Sequence, residues 1–395
     1  MRLRALALAM LALTIAPGLA SAAPSKPPYQ LVRSLHALQD QIVLGNSAAR
    51  AAIPGLSAEL AARLLSYNPS VWREPRNVNA VVTYVLSGGS PRVAQRVFAS
   101  GNCPDDDKKL LEGALAYSEG RESRARALLA DIDPRTLDPL VGGHVALAQA
   151  ALMAEKSPRE AVALLDLARV LAPGTLVEEA ALRREIFLIH ATGDFERFIS
   201  LSGEYIRRFH RSTYADNFRE HFSDAVARLN ISGDSAQLQQ IDDALSSLDP
   251  ADQLNIYLMI ARASVLTGRI TVAQFAASRA ESLAAPDSTE ICRAELYDGA
   301  AEIFTPGYAH GESLLNSVDA AHLSREEGTL RDAALSVSRQ IHEWAQVGAQ
   351  TTAASPAADP VPQALDTVMN ESASTVDAAQ KAIAEADDVD KAEQP

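Results

Sequence analysis

The chain has 395 residues, with 36 lysines and arginines against 50 aspartates and glutamates, for a formal net charge of −14. That balance argues against a nucleic-acid binder, whose affinity comes from neutralising phosphates, and against attachment to anionic lipid. Apolar residues make up 47% of the chain but aromatic ones only 5%, and the abundance of alanine suits closely packed helices better than β-sandwiches.

The first expected element is a targeting signal. Arg2 and Arg4 precede an apolar run from Ala5 to Ile15, Pro17-Gly18 breaks it, and Ala20 and Ala22 supply small residues for cleavage. The run is too short to cross a bilayer, so residues 1–22 read as a cleavable secretory signal rather than an anchor. No cysteine follows the cleavage point, which argues against a lipoprotein. The expected product is exported and soluble, and losing two arginines takes its charge from −14 to −16.

Residues 23–88 are expected to form an N-terminal helical cap. Leu31, Leu35, Leu38 and Ile42 fall at helical spacing, and a second helix follows around Ala58 to Ser66. Between Asn68 and Asn77 the string "NPSVWREPRN" holds Trp72 between two prolines and reads as a packed connection.

From Gly89 to about residue 345 the chain repeats itself. Five, eight, nine and twelve residues after Gly120 come Ala125, Leu128, Leu129 and Ile132, one apolar face of a helix. The same offsets from Lys156 give Ala161, Leu164, Leu165 and Ala168, and from Gly268 four alanines, Ala273, Ala276, Ala277 and Ala280. Gly89, Gly193 and Gly233 open weaker copies. The turns are separated by 31, 36, 37, 40 and 35 residues, the length range of helix-turn-helix solenoids. Punctuation agrees: glycine suits the end of each first helix. Ser157, Pro158 and Glu160 read as a capping box with proline at the first helical position, and Ser90-Pro91 is similar. Thr175 with Glu178 is another expected box, and Glu179 sits four residues before Arg183 for a helical ion pair. Second helices should stop near Pro104, Pro134, Pro173, Pro250 and Pro286. The pattern resembles tetratricopeptide-type repeats, so the expected fold is an all-α solenoid of helical hairpins, each too small to bury its apolar face alone.

Residues 346–395 have the composition of an acidic linker and a disordered or partly helical tail, with nine acidic and two basic side chains in the last 40 positions. Leu365, Met369, Val376, Ala379, Ile383 and Ala386 form a rough apolar stripe there.

Motifs for chemistry are scarce. The eight histidines are scattered, no HExxH, GxSxG, SxxK or GxxxxGK occurs, and no catalytic, metal-binding or cofactor-binding residue is nominated. Cys103 and Cys292 lie 189 positions apart; a disulfide and two buried free thiols both remain open. One string stands out against the acidic background, "YIRRFHRSTYADNFREHF" from Tyr205 to Phe222. Arginine interleaved with aromatics is the composition of an interface hot spot. Arg207, Arg208, Phe209, Arg211, Tyr214 and Arg219 are therefore candidate partner-binding residues, and the alternative has the aromatics packing inward beneath solvated arginines.

Four strings, "PYQLVRSLHALQDQIVLGN", "VWREPRNVNAVVTYVLSGG", "EGALAYSEGRESRARALL" and "LLDLARVLAPGTLVEEAALRREIFL", resemble the MotC family, exported chemotaxis and motility proteins of rhizobia and related α-proteobacteria. The likeness runs from about Tyr29 to near Phe304 through packing and turn residues. It implies a periplasmic, non-enzymatic accessory of the flagellar motor that associates with the periplasmic part of the stator protein MotB and controls rotation speed. The resemblance carries no catalytic or metal residues. A general periplasmic scaffold for envelope or polysaccharide machinery is the alternative that composition alone allows.

Overall fold

The structure, a computed structural model, describes residues 26–229, 231 and 235–352. The expected signal at residues 1–22, the turn at Gly233 and the tail beyond residue 352 lie outside the described residues. The chain forms two compact units, one running through Leu335 and one from Ser336. The described part of the second is helical, residues 336–352.

The first unit is all-α, and no strand occurs among the described residues. A hairpin of α1 (Pro28–Val43) and α2 (Ser47–Ser66) precedes a series of paired helices. The pairs are α3 (Pro75–Leu86) with α4 (Pro91–Ala99), α5 (Asp105–Ser118) with α6 (Glu122–Leu129), α7 (Pro139–Met153) with α8 (Pro158–Leu171), and α9 (Leu176–Thr192) with α10 (Phe195–Phe209). Then come α11 (Ala215–Arg228), α12 (Ser235–Leu245), which packs on α10, α13 (Pro250–Leu266) with α14 (Ile270–Leu283), α15 (Thr289–Glu302) with α16 (Tyr308–Ser317), and α17 (Arg325–Thr352). Each first helix from α3 onward touches its own second helix or the next first helix, and most touch both. This is the expected stack of hairpins, beginning with α3.

The repeat phase explains why these residues fold this way. At the fifth position after the turn, Ala94, Ala125, Ala161, Phe198 and Ala273 are fully buried. At the ninth, Leu129, Leu165 and Ala277 are also buried, with Phe98 the exception at 44% exposed. Alanine at these positions suits close helix packing. Glycine brings α15 and α16 closer still. A Cβ on Gly299 would stand 3.0 Å from the Gly311 carbonyl, and one on Gly311 2.8 Å from that of Gly299. Turn glycines serve differently: Gly193 has φ 76°, a left-handed backbone that ends α9 and that other residues adopt at a cost. In the first pair Gly88 rather than Gly89 takes that conformation.

Caps divide. Thr175 accepts from the Glu178 amide at the start of α9, while the Glu178 carboxylate accepts from the Gly174 amide at 2.6 Å, one residue earlier than a capping box would place it. Ser157 and Ser90 make no side-chain cap hydrogen bond, contrary to expectation. Ser157 has φ −140° and ψ 69°, outside the extended conformation that turns a cap hydroxyl onto the helix amides. Pro158 and Pro91 do occupy the first helical position. Pro250 both follows one helix and opens the next, α13.

The N-terminal hairpin reaches well along the stack. The Tyr29 amide donates to Asn77 Oδ1 at 3.2 Å beside α3. The His36 ring lies 5.2 Å from that of His144 on α7. Asp40 Oδ1 accepts from the Leu176 amide at 3.0 Å, on the first turn of α9. Beyond α10, the Thr213 amide donates to the Ile42 carbonyl at 3.2 Å, and Arg50 donates to the Thr213 carbonyl at 3.1 Å. One apolar core runs from Val32 on α1 through Trp72, Leu111 and Leu129 to Leu152 on α7, and another joins α7, α8 and α9.

The two cysteines are free, so the bridge left open by the sequence is not made. Cys103 is buried in the first core, whereas Cys292 sits on α15 with its sulfur 3.5 Å from His322 Nδ1. Burial pushes the Cys103 thiol up to about 11, and the Asp107 carboxylate adds to that. Among the described residues no helix is long and apolar enough to cross a membrane, and no group of histidine, cysteine and carboxylate side chains could hold a metal ion.

Candidate partner interface

The arginine-aromatic string ends α10, turns through residues 210–214 and begins α11. Its aromatic side chains point inward. Tyr205 stacks on Phe218 at 4.0 Å between ring centroids, and Phe222 lies 5.7 Å from both Phe218 and Phe198. Phe209, a candidate contact by composition, is 3% exposed and belongs to the core. The Tyr205 hydroxyl donates to Glu179 Oε1 at 2.6 Å, so the aromatic column is tied to α9 by a buried hydrogen bond.

The arginines separate into two groups. Arg208 bridges Glu178 at 2.6 Å and Glu204 at 2.8 Å, with its guanidinium over the Phe209 ring. Arg219 bridges Asp216 at 2.8 Å and Asp252 at 2.9 Å, joining α11 to α13. Both are spent on the fold. Arg207 and Arg211 are exposed and have no ion-pair partner among the described residues. Tyr214 lies between two guanidiniums, Arg50 from α2 at 5.6 Å and Arg183 from α9 at 5.2 Å. Such contacts contribute roughly 0.5–1 kcal/mol each where exposed. The candidates left exposed are thus Arg207 and Arg211, with Tyr214 half-buried beside Arg50, a residue over 150 positions away in sequence.

Beneath that surface is a ladder of charge that sequence reading misses. It runs Asp166–Arg197–Glu185–Arg169–Glu204–Arg208–Glu178 across α8, α9 and α10, through contacts of 2.6 to 2.9 Å. Burial pushes the Glu185 carboxyl up, and hydrogen bonds from Arg197 and Arg169 pull against it. With two guanidiniums on a fully buried side chain, the ionised pairing is the form this geometry holds. Burial also pushes on Glu204, but the bonds from Arg169 and Arg208 outweigh it and hold its carboxyl below the ordinary value. Of this region, the Glu179–Arg183 pair at 3.2 Å and the Glu204–Arg208 pair at 2.8 Å follow from helical spacing. The ladder's rungs join residues 12 to 35 positions apart, apart from Glu204–Arg208 within α10.

Charges neutralised in this way brace three helices. The fold and surface therefore define a class: a stack of helical hairpins, stiffened by internal ion pairs, that presents a small set of unpaired cations. The family model described as chemotaxis protein MotC matches residues 1–395. The chain is also 31% identical over 340 residues to the chemotaxis protein MotC of Rhizobium meliloti (strain 1021), covering 85% of this chain and 77% of that protein. It belongs to the MotC family of chemotaxis proteins. No solved structure matches it.

Proposed function

We propose that this chain is a periplasmic, non-enzymatic accessory of the flagellar motor that binds the periplasmic part of the stator protein MotB and sets rotation speed. Membership of the MotC chemotaxis family is the observation that carries this reading. The basic, cleavable-looking N-terminus supports export, and the braced hairpin stack supports a docking role. Arg207 and Arg211 are the contact residues, because their guanidiniums are exposed and unclaimed by carboxylates among the described residues. A partner gripped there shifts between conformations only by as much as this chain favours one of them.

The test is capture from periplasmic extract with the tagged mature chain, alongside swimming of a deletion strain. The proposal expects MotB with wild type, little or none with Arg207→Glu/Arg211→Glu, and slowed or absent swimming in the deletion. Normal swimming without the protein would refute the motor role. Recovery of wall-synthesis enzymes instead of MotB would favour a general envelope scaffold.

A further inference from the structure

We propose that the cleft between α1, α3 and the start of α7 binds an organic carboxylate between the guanidiniums of Arg33 and Arg76. This goes beyond the motor reading, and none of its residues belongs to the surface assigned to MotB. The cleft encloses about 350 Å³, within the roughly 300–1,000 Å³ of small-molecule sites.

Three observations point to an anion. In a chain with 50 acidic side chains, Arg33 and Arg76 both line this cleft, and neither has a carboxylate partner among the described residues. Arg76 lies over the Tyr29 ring, 5.3 Å from its centroid, a contact that a guanidinium can make while its N–H groups donate elsewhere. The cleft wall also carries a polar group that the protein leaves unanswered. His36 is 7% exposed and neutral, its ring engaged with the Thr83 backbone, but Asn79 has its buried side-chain oxygen unpaired. A buried polar atom without a partner is costly, so the unpaired Asn79 amide favours an occupant. The Asn79 amide can answer a ligand with either end, because its oxygen and nitrogen exchange by a simple flip.

Charge and shape narrow the class. Asp138 also borders the cleft, but its Oδ1 accepts from the Leu140 amide at 3.1 Å as the cap of α7. Burial first, and His144 second, hold His36 in its neutral form. Two positive charges and one negative leave a cleft of modest positive charge, suited to carboxylates rather than to a polyphosphate. Val32, Ala80 and Val141 supply apolar wall, which favours an anion with a carbon skeleton over inorganic phosphate. Arginine meets a carboxylate through two parallel N–H donors, the strong form of this contact.

The test is calorimetric titration of the purified mature chain with succinate, a glutamate-rich peptide and inorganic phosphate. Saturable binding of succinate identifies a small acid as the source of the carboxylate, and binding of the peptide alone identifies an acidic protein segment. Either should weaken at least about tenfold, or 1.4 kcal/mol, in Arg33→Gln/Arg76→Gln. Should the double variant lose helicity because Arg76 no longer covers Tyr29, the exposed single change Arg33→Gln carries the same expected weakening. The proposal is overturned if neither carboxylate saturates by about 10 mM, if the variants bind as well as wild type, or if phosphate binds as tightly as the carboxylates.

Discussion

Lowering the pH from 7 to 5 should cost the fold about 2 kcal/mol through one side chain, His36. The ring sits between α1 and α7, with His144 at 5.2 Å and Thr83 of α3 offering its backbone. Burial first, and then His144, push its pKa from the ordinary 6.5 to about 3, against a hydrogen bond to the Thr83 backbone that favours the charged form. Below pH 6.5 the unfolded chain therefore takes up a proton that the folded chain refuses. Unfolding free energy falls with pH by about 1.4 kcal/mol per unit across that window. From pH 7 to 5 the fall is about 1.9 kcal/mol, a large part of a typical 5–15 kcal/mol stability. Burial likewise lowers the pKa of His144, so it pulls in the same direction. Asp40, nearby on α1, is raised by burial and works the other way. Comparing wild type with His36→Gln removes Asp40 and every other shared group from the difference. Urea unfolding of both proteins at pH 7 and pH 5 provides the measurement. Wild type should lose about 2 kcal/mol more than the variant on acidification. Equal losses would refute a buried, neutral His36 and with it the seating of α1 on α7.

Other perturbations test separate parts of the fold. Replacing Glu185 by alanine removes the buried carboxylate between Arg169 and Arg197, which keep only Glu204 and Asp166, and should cost at least about 3 kcal/mol in urea unfolding; a loss below about 1 kcal/mol would mean the charge ladder is not formed. Gly299→Val drives a branched side chain at the Gly311 carbonyl and should cost about 1–3 kcal/mol or more, read as a lower melting temperature. Thiol titration should find two free cysteines in the denatured, unreduced chain and almost no reaction at Cys103 in the native protein near neutral pH, since its thiol stays protonated. Zero thiols on denaturation would reinstate the Cys103–Cys292 bridge.

Much of the architecture was legible because it is local. A helical hairpin repeats its own spacing, so alanines at the fifth position after a turn mark the buried face, as Ala125, Ala161 and Ala273 show. The pair Glu179–Arg183 follows from one turn of helix. What stayed hidden depends on distance along the chain. Nothing in α1 announces that Asp40 caps α9 or that Ile42 meets Thr213, since each contact spans over 130 residues. The arginine-aromatic string misled by composition: its rings stack inward, and Arg208 and Arg219 are claimed by carboxylates from other helices. Serine before proline also promised more than it delivers, because cap bonds depend on backbone angles that residue types alone leave free.

The motor role is most directly tested by the affinity of the purified mature chain for the purified periplasmic part of MotB. The account predicts saturable binding that weakens at least about tenfold, or 1.4 kcal/mol, in Arg207→Glu/Arg211→Glu, with the variant's helicity and melting temperature unchanged. No binding by wild type, or equal binding by the variant, would contradict it.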